Sequence, residues 1–146
     1  MNTRNKAVFV DNQTAVQVDD DLFESIFENV RYGEKLHPDS HVNLLLSSDG
    51  LIKKYNRQYL GRDELTDVLS FTAEIPGIPL LGDIIIDVTV AEQQKENRTL
   101  DIELQILFLH GLLHLLGYDH LAAKQEKIMQ AKETEYLKEK YINRGR

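Results

Sequence analysis

The stretch from Leu100 to Leu116 constrains the fold of this chain more than any other. Of its 17 residues, 11 are Leu, Ile or Phe, and they fall on all sides of a helical projection. A helix that is apolar all round has to be enclosed, so a central helix with other elements packed around it is predicted. Its ends are marked as well. Thr99 can cap the free N–H groups at its start, and Asp101 and Glu103 put negative charge at the positive end of the helix dipole. Gly117 marks the exit, because glycine accepts the left-handed backbone on which many helices end.

Shorter patterns supply the surroundings. The short apolar run Ala7–Val10 and the segment Val42–Leu46 read as strands, as do Val68–Phe71 and Ile84–Val88 on their β-branched residues. The run Ile75-Pro76-Gly77-Ile78-Pro79 has turn chemistry, so the third and fourth strands are expected to lie antiparallel. Leu22, Phe23, Ile26, Phe27 and Val30 recur at helical spacing behind Asp19, Asp20 and Asp21. Further helices are expected over Leu51–Tyr59, Thr89–Glu96 and Ala122 to about Lys140. The prediction is an α/β fold: one sandwich domain over residues 1–146, with a small mixed, mostly parallel sheet of about four strands and packed helices.

Composition narrows the class. A charged fraction of 28% beside 42% hydrophobic residues is the balance of a soluble globular protein. There is no cysteine, which removes disulfides and thiolate metal sites and suits a reducing compartment. Neither a signal peptide nor a run of ~20 apolar residues is visible, so a cytoplasmic protein with no membrane partner is expected. The net charge of −7 argues against a surface given over wholly to nucleic acid, but leaves room for a local basic groove at Lys53, Lys54, Arg57 and Arg62.

The chemistry concentrates in His110-Gly111-Leu112-Leu113-His114-Leu115-Leu116-Gly117-Tyr118-Asp119-His120, which holds three of the five histidines. Four residues along a helix turn through about 400°, so His110 and His114 leave the same face one turn apart. After the glycine turn His120 can return to the same point. Three neutral imidazoles with a fourth position open are the donor set of a catalytic zinc site, whereas a structural site normally closes with a fourth protein ligand. His37 and His41 show no such pattern and read as surface loop residues.

The spacing is also that of metzincin proteases, which keep a glutamate directly after the first histidine as general base. Gly111 stands there, and the protease reading loses its proton acceptor. Asp119 is suited to accept a hydrogen bond from a ligand imidazole or the turn backbone. Asp67 and Asp83 are either further supporting carboxylates or caps at strand ends, and Tyr118 is expected to pack over the glycine turn.

These residues resemble the YbeY family of bacterial rRNA-maturation endoribonucleases. The likeness rests on the histidine block, on Thr66-Asp67-Val68-Leu69-Ser70-Phe71 and on Leu81-Gly82-Asp83-Ile84, in the family's order and separation. It implies one zinc ion on His110, His114 and His120, and a single-strand-specific endoribonuclease. Its expected roles are maturation of the 3′ end of small-subunit rRNA and ribosome quality control. RNA and the ribosome or its small subunit are thus the implied partners, and no DNA is expected. The chain departs from the pattern at Leu60, where members often carry an arginine, and at Leu65 and Thr72, where prolines are common. Arg57 or Arg62 can supply the missing charge toward a phosphate. Two other functions stay open: a non-catalytic ribosome-assembly factor with a structural zinc, and a zinc hydrolase of another substrate.

Overall fold

The structure is a computed structural model and describes residues 6–48, 52, 68–118 and 123–137. Short apolar runs build a four-stranded sheet from β1 (Val8–Asn12), β2 (His41–Ser47), β3 (Val68–Thr72) and β4 (Leu80–Asp87), in the order β1-β2-β4-β3. β1 and β4 run parallel to β2, and β3 pairs antiparallel with β4. The β3–β4 connection is the expected turn: the Ile78 N–H donates to the Ile75 carbonyl at 3.2 Å, with Gly77 at φ +79°. A mostly parallel, mixed sheet of four strands matches the reading of the sequence.

The pleat sends Val42, Leu44 and Leu46 of β2 and Ile84 and Ile86 of β4 into the core. Against them lie α1 (Asp21–Gly33), α2 (Val88–Gln94), α3 (Leu100–Leu115) and α4 (Ala123–Leu137). Helix α3 is the centre of the packing, touching β3, β4, α1, α2 and α4. Its Leu104, Ile106, Leu107, Phe108, Leu109, Leu112 and Leu113 are all buried, as an all-round apolar helix requires. Phe108 meets Phe23 of α1 edge to face, ring centres 5.3 Å apart. Among the described residues no helix is long and apolar enough to cross a membrane.

Several boundaries differ from expectation. β4 begins at Leu80 rather than Ile84, because β2 pairs with it that far, His41 opposite Leu80. It ends at Asp87, whose carboxylate accepts from the Val90 N–H at 3.1 Å and so turns Val88 into the first residue of α2. His41 opens β2 instead of lying in a loop, and its ring edge meets Phe9. The cap on α3 is as expected, with the Thr99 hydroxyl accepting from the Ile102 N–H at 3.2 Å. Glu103, read as a favourable charge at the helix start, is fully buried and receives Arg98 Nη1 and Gln94 Nε2, each at 3.3 Å. Of the helix expected over Leu51–Tyr59, only Ile52 is described, and it is buried.

Candidate metal centre

Helix α3 delivers both of its histidines to one point. Their Nε2 atoms are 3.2 Å apart and their rings are inclined at 73°. Two nitrogens bound tetrahedrally to one zinc at ~2.0–2.1 Å would stand about 3.3–3.4 Å apart. The pair is therefore spaced for a shared ion without a change of rotamer. Both imidazoles are half-buried, so a ligand approaching from solvent can reach them.

His110 is held from behind. Its Nδ1 lies 3.1 Å from Oε2 of Glu133, a carboxylate on α4 whose side chain is 9% exposed. An ionised carboxylate only accepts, so this partner assigns the ring proton to Nδ1 and leaves the Nε2 lone pair facing His114. A carboxylate on the far nitrogen is the usual support of a metal-bound imidazole. Glu133 was not singled out in the sequence, although a signal was there. Met129, Glu133, Tyr136 and Leu137 form the buried face of α4, and a carboxylate within an apolar stripe needs an internal partner.

The chain leaves α3 through a glycine turn of the Schellman type. The Tyr118 N–H donates to the Leu113 carbonyl and the Gly117 N–H to the His114 carbonyl, both at 3.0 Å, with Gly117 at φ +99°. The expected role of Gly117 is thereby met. Tyr118 packs against the core, and its hydroxyl also donates to Oε1 of Glu34 at 2.7 Å.

Gly111 faces the sheet. A Cβ there would stand 3.0 Å from Ile84 Cγ2 and 3.3 Å from Val68 Cγ2, so a side chain at this position would press into β3 and β4. A glutamate at the protease position would therefore require Ile84 and Val68 to give way. Asp83 proves remote from the histidines. The pleat turns it to the face opposite Ile84, where it accepts from Asn43 Nδ2 at 2.9 Å beside a cavity of about 620 Å³ lined by Phe9 and Phe71. Among the described residues its side-chain partner is Asn43 on that face, not a histidine.

The third predicted ligand, His120, lies outside the described residues, as do Asp119, Asp67, Leu60, Arg57 and Arg62. Among the described residues no three His, Cys, Asp or Glu side chains are grouped to hold a metal ion. What the described residues contribute is two nitrogens at ligand spacing with a carboxylate behind one of them. That donor set fits a borderline-soft divalent ion such as zinc.

Fold and site together define a class: an open α/β sandwich that presents paired imidazoles from a buried helix beside the turn that ends it. The chain belongs to the endoribonuclease YbeY family, whose model matches residues 6–141. Among its relatives, the endoribonuclease YbeY of Lysinibacillus sphaericus is 37% identical over 139 residues, covering 86% of this chain and 88% of that protein. The Helicobacter pylori protein of the same name is 42% identical over 132 residues, with 88% of each chain covered. The solution structure of TM1509 from Thermotoga maritima resembles this one with a TM-score of 0.55 at 28% identity, over 88% of each chain.

Proposed function

We propose that this chain is a zinc-dependent, single-strand-specific endoribonuclease. In this reading it matures the 3′ end of small-subunit rRNA and serves ribosome quality control in the cytoplasm, as one domain. The observation that carries the proposal is the pair of Nε2 atoms 3.2 Å apart with the Glu133 carboxylate behind that of His110. The relatives' shared description as endoribonucleases supports RNA as the substrate class.

His110, His114 and, by its place in the sequence, His120 are assigned to hold the ion. When bound, zinc lowers the pKa of a water toward about 7 and polarises a phosphoryl oxygen. The chain's own groups set the conditions for this. Glu133 accepts the Nδ1 proton of His110 and so keeps the opposite nitrogen unprotonated and aimed. Gly111 keeps α3 pressed on the sheet, so both imidazoles project from a rigid element. Arg57 and Arg62 are assigned to the substrate phosphates, where a planar guanidinium offers paired hydrogen bonds.

Purified protein should carry about one zinc per chain and His114→Ala much less. Metal-replete wild type should cut single-stranded rRNA fragments, and His110→Ala should not. Cleavage that purifies away while zinc stays bound would replace the enzyme with a ribosome-associated factor. Cleavage of an all-deoxy strand at the same rate would exclude attack by the RNA's own 2′-hydroxyl.

A further inference from the structure

A second polar cluster lies beside the histidines and is not accounted for by metal binding or by RNA. Glu34 sits at the C-terminal end of α1, where the helix dipole disfavours a carboxylate. It is nevertheless enclosed, its side chain 13% exposed. Oε1 accepts the Tyr118 hydroxyl at 2.7 Å, while Oε2 accepts the Tyr136 hydroxyl and pairs with Lys132 Nζ at 3.1 Å. Gly33 makes room for this: a Cβ there would overlap the Tyr136 ring, with 2.6 Å to Cε1. The end of α1, the turn after α3 and the buried face of α4 thus converge on one carboxylate.

Of the three donors, only Tyr118 belongs to the histidine block. It is the last residue of the Schellman turn, and His120 follows two residues later. Two residues span at most about 7 Å, so wherever Tyr118 is held, the reach of His120 is bounded. The backbone bonds of the turn fix its local shape. The phenol–carboxylate bond ties that shape to two other helices.

We infer that Glu34 is a positioning residue for the metal centre: by holding the Tyr118 hydroxyl it sets the point from which the chain departs toward His120. The inference rests on the zinc reading above for its consequence, but not for its geometry. Glu34 is not one of the residues assigned to the ion; its partners are Tyr118, Tyr136 and Lys132. It acts through Tyr118, at a sequence distance of 84 residues.

The test has a zinc-free arm and a zinc arm, with Tyr118→Phe and Glu34→Gln as variants. In zinc-free protein, amide hydrogen exchange at Gly117 and Tyr118 should speed up about tenfold or more in Tyr118→Phe, while the amides of Leu104–Leu109 keep their protection. In the zinc arm, chelator competition should show affinity weakened about tenfold in both variants, the low end of the usual effect of supporting groups. Cobalt-substituted protein should show shifted visible bands. Arg98→Ala, which loosens α3 at its far end, should lose stability yet bind zinc within about twofold of wild type, as distant sites act independently. Unchanged exchange at the turn would overturn the inference even if the wild type bound no zinc. So would equal weakening of zinc binding in Tyr118→Phe and Arg98→Ala. A wild type without zinc but with faster exchange in Tyr118→Phe would instead sink the zinc reading and leave the anchoring role of Glu34 standing.

Discussion

Replacing Glu133 with alanine removes the carboxylate that backs His110. At 3.1 Å from Nδ1 and with 9% exposure, its place cannot be fully taken by bulk water. A hydrogen bond to a charged group contributes about 1.5–3 kcal/mol, and ~1.4 kcal/mol is a factor of ten in affinity. Zinc binding should therefore weaken by about 10- to 100-fold, in line with what supporting carboxylates contribute at zinc sites generally. Glutamine keeps an acceptor oxygen without the charge, so Glu133→Gln should lose about half as much free energy, roughly three- to tenfold in affinity. Competition against a chromophoric chelator at neutral pH measures both, with circular dichroism confirming that each variant is folded. A folded Glu133→Ala that binds zinc within twofold of wild type would refute the reasoning, because His110 would then be oriented by something else.

Three further outcomes follow from the packing and the charges. Arg98→Ala leaves the fully buried Glu103 without its guanidinium and should cost on the order of 3 kcal/mol in urea unfolding; a loss below about 1 kcal/mol would mean that other donors carry the charge. Gly117→Ala meets no atom within 4 Å but is strained at φ +99°, so its cost of about 1–3 kcal/mol should be purely backbone; an unchanged urea midpoint would count against the turn as described. For Glu34, burial pushes the carboxyl up, but hydrogen bonds from Tyr136, Tyr118 and Lys132 outweigh it and the net shift is below the ordinary 4.5. Its stabilisation is then complete above pH 4.5 and lost as pH falls through the folded value. The melting temperatures of wild type and Glu34→Gln should accordingly differ at neutral pH and converge in acid. A constant difference would contradict the depressed value.

The sequence was most legible where interactions are local. The Ile75–Pro79 turn, the Thr99 cap and the glycine exit depend on neighbours a few residues away and stand where they were expected, and each strand is present even where its ends differ. The spacing of His110 and His114 is also local, since one helical turn relates them. Strand ends were less readable, because β4 gains its first residues from pairing with β2, which no local pattern announces. The supporting carboxylates were the least readable. Glu133 is 23 residues from His110 and Glu34 is 84 from Tyr118, and only the packing of helices joins them. Asp83 was read as a supporting carboxylate or a strand-end cap; its described partner is Asn43, set by the pairing of β2 with β4, which the local sequence does not announce.

The all-round apolar surface of α3 has one more consequence, for uniqueness rather than stability. A rod of Leu, Ile and Phe about 24 Å long gains nearly as much from burial if it slides or rotates slightly in its sheath. Its buried polar contacts lie toward opposite ends: Glu103 with Arg98 and Gln94 at one, His110 with Glu133 at the other. A slip by a single residue would break both sets, leaving charge enclosed without its partners. Together they act as two pins through a smooth shaft, and they allow the helix one axial setting.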